Sequence, residues 1–85
     1  MVIKFKRGDK EVYKADMLDE YLVERKRYAF FIRPGCVIEA QYDQMTVDED
    51  GFIIFVDDVV APETGYDGEP RLIIGVKDIL SVEEV

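Results

Sequence analysis

The sequence predicts one α+β domain over residues 1–85 that is mostly β, a small antiparallel barrel or rolled sheet of five to seven short strands with one short helix near residues 16–27. Three observations lead to this prediction. Short runs of β-branched and aromatic residues recur along the chain, separated by Gly, Pro and Asp turns. Only one segment has helical spacing of its apolar residues. The 85 residues, 48% of them apolar, suffice for one hydrophobic core.

The first third of the chain predicts a hairpin and a helix. Residues 2–6 and 11–14 are β-prone and flank Gly8, which permits the positive φ of a tight turn. After this hairpin, Asp16 is a suitable N-cap for a helix that runs to about Arg27. The apolar residues of that helix lie on one stripe: Met17, Leu18, Tyr21 and Leu22. A strand through residues 21–23 is the alternative.

Two strands are expected on either side of Pro34-Gly35. Residues 28–32 form an apolar run that ends at Arg33-Pro34-Gly35, a sequence typical of a type II turn. The strand that follows alternates between apolar and polar residues, which is typical of a half-buried strand. Its inward-facing residues are predicted to be Cys36, Ile38, Ala40 and Tyr42.

The second half of the chain predicts a hairpin, an acidic connection and two closing strands. Residues 45–47 and 52–56 flank Asp48-Glu49-Asp50-Gly51, whose Gly suits the left-handed position of a hairpin loop. Because residues 52–56 are all apolar, this strand is expected to be covered on both faces or strongly bent. Residues 57–70 form a long acidic connection, and residues 71–76 and 79–82 are the closing strands.

Charge is divided unequally along the chain. Residues 1–35 contain nine Lys and Arg and six Asp and Glu, a net charge of +3. Residues 36–85 contain two Lys and Arg and thirteen Asp and Glu, a net charge of −11, so that the sum is −8. Affinity for nucleic acids and for anionic membranes comes largely from Lys and Arg that neutralise phosphates. We therefore expect no membrane partner and no nucleic-acid partner.

The residue types present argue against most catalytic chemistry. The chain contains no His and one Cys, which excludes Ser–His–Asp and Cys–His catalysis and the usual zinc sites within this chain. Its carboxylates fall mainly in turns, where solvated carboxylates are poor general acids at neutral pH. The sequence therefore predicts that the protein is not an enzyme and has no cofactor. An enzyme would require a pocket in which carboxylates converge with Tyr42 or Lys77.

One acidic segment resembles a metal-binding motif. Five residues occupy positions 1, 3, 5, 6 and 12 of the EF-hand calcium loop: Thr46, Asp48, Asp50, Gly51 and Asp57. The segment departs from the motif through Thr at the first position, Asp in place of the bidentate Glu at the last, and flanking sequences of β type. We interpret it as a hairpin turn and predict no metal site. Weak divalent-cation binding at Asp48, Asp50, Asp57 and Asp58 is the alternative.

Location is predicted from cysteine content and hydrophobicity. The single Cys36 fits a reducing compartment. The longest apolar run has five residues, and the first residues lack the apolar segment of a signal peptide. We therefore expect a cytoplasmic protein.

The sequence favours a non-enzymatic acidic protein-interaction module that binds a partner protein with a basic surface. Charge would steer the encounter, and apolar residues within the acidic segments would hold the complex. The expected partner-binding residues are Asp48, Glu49, Asp50, Asp57, Asp58, Val59, Val60, Glu63, Tyr66, Asp67 and Glu69. In size and charge the chain resembles the small acidic β-proteins of phages that inhibit DNA-binding enzymes by mimicking nucleic-acid phosphates.

The alternative function is self-assembly. A structural or RNA-associated small barrel would form a homo-oligomer through an unpaired edge strand, such as residues 71–76 or 79–82.

Overall fold

Seven strands form one antiparallel sheet, and one α-helix packs on one of its faces. The computed structural model describes residues 1–61, 66–69 and 71–85, and the side chains of residues 1–60 and 71–85. In chain order the elements are β1 (Val2–Lys4), α1 (Glu11–Tyr21), β2 (Arg27–Ile32), β3 (Cys36–Asp48), β4 (Gly51–Ala61), β5 (Tyr66–Glu69), β6 (Leu72–Gly75), the 3₁₀ turn η1 (Val76–Asp78) and β7 (Ile79–Glu84). The prediction of a mostly β, α+β fold is confirmed.

The sheet is open. Its strand order is β1-β7-β2-β3-β4-β5, and β6 pairs with β4 on the same side as β5. Within the described strands β1 does not pair with β5 or β6, which excludes the closed barrel and leaves the rolled sheet. The β3–β4 register shifts twice, between Glu39 and Gln41 and between Tyr42 and Gln44. Such bulges bend strands, which explains how two long strands remain in one small sheet.

The core lies between α1 and the inner face of the sheet. Alternating residues of the strands point toward the helix, as the period of two requires. The buried apolar residues are Ala15, Leu18, Leu22, Tyr28, Phe30, Ile38, Ala40, Tyr42, Ile54, Val56, Val59, Ile74, Val76, Ile79 and Val82. The helix therefore depends on tertiary packing, as is usual for helices this short.

The helix begins and ends earlier than residues 16–27. It starts at Glu11 because Lys14, Ala15 and Leu18 are buried at helical spacing, and this first turn has no side-chain N-cap. Asp16 is an exposed residue inside the helix and not its cap. After Tyr21 the backbone of Leu22 is extended, and the Tyr28 hydroxyl accepts a hydrogen bond from the Val23 N–H at 2.7 Å.

The predicted first hairpin is wrong. β1 pairs with β7, at the other end of the chain, because residues 11–14 belong to α1. Gly8 nevertheless has φ +91° in a turn, in which the Asp9 carboxylate accepts the Lys6 N–H at 2.7 Å.

The strands from β2 to β4 are close to their predicted positions. Ile38, Ala40 and Tyr42 are buried as expected, but Cys36 is exposed because it lies at the very start of β3. The turn before it has a cis Arg33–Pro34 peptide with Pro34 as its third residue, so it is a type VI turn and not type II.

β4 is paired with other strands along both of its edges, but only one of its faces is buried. Ile54 and Val56 are fully buried, whereas Ile53 and Phe55 are half-buried on the outer face. Of the two expected alternatives, a strand covered on both faces is therefore excluded, and a bent strand agrees with the register shifts in the pairing of β4. The predicted connection over residues 57–70 contains the end of β4 and the whole of β5, while residues 62–65 and 70 lie outside the described residues.

A buried lysine joins α1 to β7. Lys14 is only 4% exposed, and its Nζ donates hydrogen bonds to the carbonyl oxygens of Lys77 and Ile79, each at 3.0 Å. Burial, and then the positive charge of Arg33, lower the pKa of the Lys14 ammonium. The charges of Asp9, Asp78 and Glu11 act in the opposite direction. The charged form is thus less favourable in the folded chain than in water.

Replacing Lys14 with Met should change both stability and its pH dependence. The variant leaves two buried carbonyls without their partner, so the free energy of unfolding at neutral pH should fall by about 1–3 kcal/mol. The folded pKa of Lys14 lies below its ordinary value of 10.5. Between those two values the unfolded chain binds more protons, and stability therefore rises with pH there. The wild type should gain stability relative to Lys14→Met as the pH rises through that window.

Urea unfolding of both chains from neutral pH to about pH 10 measures this difference. Lys10→Met, at an exposed residue just before α1, is the control and should have little effect. A difference between wild type and Lys14→Met that stays constant over the whole range would contradict the lowered pKa.

Candidate functional site

A groove of about 260 Å³ lies between α1 and the end of the β3–β4 hairpin. Its described lining combines apolar side chains with carboxylates and includes no Lys or Arg. The lining residues are Ala15, Asp16, Asp19, Met45, Thr46, Val47 and Phe52. We call this the α1–hairpin groove.

The floor of the α1–hairpin groove continues the hydrophobic core to the surface. Ala15 is buried, and the half-buried Met45 and Phe52 pack against the core. Val47, near the end of β3, is 58% exposed. An exposed apolar residue beside a half-buried apolar floor is a common feature of binding grooves.

Carboxylates supply the charge around this groove. Asp16 and Asp19, three residues apart on α1, are both exposed and lie on the same side of the helix. Burial, and then the charges of Asp19, Asp43 and Glu24, raise the pKa of Tyr42. Among the described lining residues the negative charge comes from Asp16 and Asp19 of α1, and it favours a cationic ligand.

The tip of the β3–β4 hairpin lies at the end of the α1–hairpin groove, since it joins Val47 to Phe52. Its acidic residues Asp48, Glu49 and Asp50 are all exposed, as the proposed binding role requires. The Asp50 N–H donates a hydrogen bond to Asp48 Oδ1 at 2.8 Å, and the loop closes at Gly51 with φ +119°. Within the described side chains none of the three forms a salt bridge.

The second predicted acidic segment lies elsewhere and is partly neutralised. Asp57 follows Gly51 by six residues along β4, a distance of about 20 Å in an extended strand. Arg71 forms salt bridges with Asp57 at 3.5 Å and with Asp43 at 3.2 Å. The Asp58 carbonyl accepts a hydrogen bond from Arg27 Nη1 at 3.1 Å. The acidic residues therefore form two groups and not one surface.

The predicted apolar anchors do not form a patch on the described surface. Val59 is 1% exposed and belongs to the core, so its assignment as a contact residue is wrong. Val60 is half-buried. Tyr66, Asp67 and Glu69 lie on β5, where only the backbone is described, and Glu63 lies outside the described residues.

The hairpin geometry also separates the residues that resemble a calcium loop. Thr46 pairs with Ile53, whereas Asp57 pairs with Gln41 much farther along β3. The first and last positions of the motif therefore lie apart. Among the described residues no group of three or more Cys, Asp or Glu is placed to hold a metal ion.

The separation of charge along the sequence is only partly kept in space. Lys26 forms a salt bridge with Glu84 at 3.0 Å. This contact raises the pKa of Lys26 and lowers that of Glu84. Together with the contacts of Arg27 and Arg71, it mixes the two signs at the start of β2 and along the middle of the β3–β4 pair.

No protein-family model and no curated protein matches this chain. In the described part of the chain, the one α-helix is too short and too polar to cross a membrane.

Substituting Gly51 tests the geometry of the hairpin tip. Gly51→Ala should lower the free energy of unfolding by about 1–3 kcal/mol, because φ +119° is unfavourable for a residue with a Cβ. The added Cβ would also meet the Glu11 carboxylate, but that flexible side chain can move away. Adding Glu11→Ala should therefore recover little stability in urea unfolding. Full recovery in the double variant would show that the contact, and not the backbone, is responsible.

Proposed function

We propose that this protein is a non-enzymatic interaction module that binds a basic segment of a partner protein in the α1–hairpin groove. One observation carries the proposal: the groove has an apolar floor, and among its described lining residues the charged groups are the carboxylates of Asp16 and Asp19. A partner segment with an apolar side chain flanked by Lys or Arg has the matching chemistry.

The two parts of the groove would contribute differently to binding. The carboxylates of α1 and of the hairpin tip raise the association rate of a cationic segment, and this effect weakens with salt. Burial of an apolar side chain against Met45, Val47 and Phe52 slows dissociation. Val47 takes the anchoring role that the sequence assigned to Val59, whereas the roles of Val60 and Tyr66 stay predictions.

One class of partner is an enzyme that binds DNA or RNA through a basic groove. In that case the three consecutive carboxylates of the hairpin tip, Asp48, Glu49 and Asp50, would take the places of phosphates. A cytoplasmic location agrees with the free, exposed Cys36.

Short peptides can test the proposal without knowledge of the partner. We expect Lys-Lys-Leu-Lys-Lys to shift the amide resonances of Ala15, Asp19, Met45 and Val47 in two-dimensional NMR spectra of the labelled protein. Lys-Lys-Ser-Lys-Lys should bind more weakly because it lacks the apolar anchor, and Glu-Glu-Leu-Glu-Glu should not bind. Affinity for the first peptide should fall as salt is raised, since exposed charges are screened.

Matched variants identify the residues responsible. The double variant Asp16→Asn/Asp19→Asn should weaken binding of Lys-Lys-Leu-Lys-Lys, and Val47→Ser should abolish its preference over the Ser peptide. Glu20→Gln, an exposed residue of the same helix that does not line the groove, should bind like the wild type. Shifts spread evenly over all carboxylates, or an equal loss in Glu20→Gln, would rule out a specific groove.

A second candidate function is self-assembly through β6, and the exposure of this strand supports it. β6 pairs with β4 on one side, and its other edge has no backbone partner among the described residues. Leu72 is 37% exposed and Ile73 54%, and Ile73 lies opposite the half-buried Phe55 on the outer face. Such an apolar edge suits strand addition in a structural or RNA-associated assembly. Residues 79–82 cannot serve, because β7 is paired on both sides.

Mass in solution tests this second function. Self-assembly predicts a dimer or larger species at micromolar concentration, and Ile73→Lys should convert it to the monomer because a charge on an edge strand opposes pairing. Val12→Lys, at an exposed residue of α1, is the control and should leave the mass unchanged. Light scattering after gel filtration in reducing buffer gives the mass. A wild-type monomer would exclude this candidate.

A further inference from the structure

A second concave surface, a cleft of about 360 Å³, lies between Lys14 of α1 and the start of β7. Four cationic residues of this acidic chain line it. They come from three separate segments: Lys6 and Arg7 after β1, Lys14 in α1, and Arg33 in the turn between β2 and β3. The remaining lining is apolar and consists of Phe5, Ile79 and Leu80. Among the side chains that the structure describes, no carboxylate lines this cationic cleft.

Backbone hydrogen bonds hold the three segments together around the start of β7. The Phe5 N–H donates to the Leu80 carbonyl at 2.9 Å, and the Arg33 N–H donates to the Asp78 carbonyl at 2.7 Å. In the same region, the Lys14 ammonium donates hydrogen bonds to the carbonyls of Lys77 and Ile79. The positions of the cationic residues therefore follow from the fold and not from chance contacts of long side chains.

Lys14 gives the cationic cleft a buried charge. A lysine ammonium has three hydrogen-bond donors, and the two carbonyls take two of them. The third has no oxygen acceptor among the described residues, and the ammonium lies over the Phe5 ring, 5.5 Å from its centroid. Burial lowers the pKa of Lys14 most, and the positive charge of Arg33 lowers it further because the two cations repel each other. An anion in the cleft would accept a hydrogen bond from the Lys14 ammonium and offset the repulsion between Lys14 and Arg33.

Three carboxylates lie near the cationic cleft, but they are not among its described lining residues. Asp9 accepts the Lys6 N–H, the Asp78 carboxylate lies beside Gly75, and the Glu11 carboxylate lies against Gly51. Each reduces the positive potential at Lys14 without occupying the cationic cleft. Its interior remains open to a ligand that carries its own negative charge.

We propose that this cationic cleft binds a phosphate dianion, either free or as the monoester of a small organic molecule. Arg7 and Arg33 have the planar donors that match phosphate oxygens, while Lys6 and Lys14 add point charges. The volume exceeds that of a phosphate group, and the apolar wall formed by Phe5 and Leu80 suits an organic substituent. The proposal is independent of the α1–hairpin groove.

Titration calorimetry with inorganic phosphate and with phenyl phosphate, at constant ionic strength, tests this site. Both ligands should bind in a saturable manner. Tighter binding of phenyl phosphate would identify a monoester site, and equal binding would identify a site for free phosphate. No saturable binding of either ligand at millimolar concentration would overturn the proposal.

Variants of exposed residues distinguish the site from general charge effects. Arg7→Gln and Arg33→Gln should each weaken phosphate binding about tenfold, the effect of losing one charge-assisted hydrogen bond. Lys26→Gln removes the same charge at the opposite end of β2, about 20 Å from Arg33 in an extended strand, and should change affinity by about twofold or less. An equal loss in all three variants would overturn the proposal in favour of non-specific attraction. Retained affinity in both Arg variants would also overturn it.

Discussion

The placement of α1 on the sheet depends on one buried cation. The Lys14 ammonium reaches the carbonyls of Lys77 and Ile79, where the 3₁₀ turn η1 meets β7, more than sixty residues away in sequence. At the other end of the helix, Leu22 enters the core and the Tyr28 hydroxyl fixes the chain as it leaves. Both ends of α1 are therefore fixed against the sheet. Residues of α1 line two concave surfaces. The α1–hairpin groove lies on one side, and the cationic cleft lies on the other.

The charges that line these two surfaces have opposite signs. In a helix, residues three or four apart lie on the same side, so that each side of α1 contributes its own charged residues. Asp16 and Asp19 lie toward the end of the β3–β4 hairpin, whereas Lys14 lies toward β7. The molecule as a whole is acidic, yet its exposed charge is organised locally. Around the start of β2 and the middle of β4 the signs mix, and Arg71 and Lys26 are occupied by carboxylates there. In the described lining of each of the two concave surfaces, the charged side chains have one sign.

Local patterns in the sequence identify most of the strands but few of the contacts between them. The alternation from Ile38 to Tyr42 and the acidic Gly-containing loop before Gly51 are local signals, and both are confirmed. The start of α1 is not given by a local signal, because it depends on the hydrogen bonds of Lys14 to carbonyls near the other end of the chain. Val59 looks like a surface anchor among acidic residues, but a bulged β4 turns it into the core. The two concave surfaces join segments distant in sequence, and no single segment carries a pattern for either.

The position of β7 has a consequence for how the chain acquires its structure. β7 lies between β1 and β2, and pairs such as Val2 with Glu83 connect residues at almost opposite ends of the sequence. Until β7 has been synthesised, β1 has no strand to join, and one side of β2 stays open. The complete sheet can therefore form only after β7 has been synthesised, whereas the pairings of β2 with β3 and of β3 with β4 do not need it. Its high contact order places it among slow-folding small domains, despite its length of 85 residues.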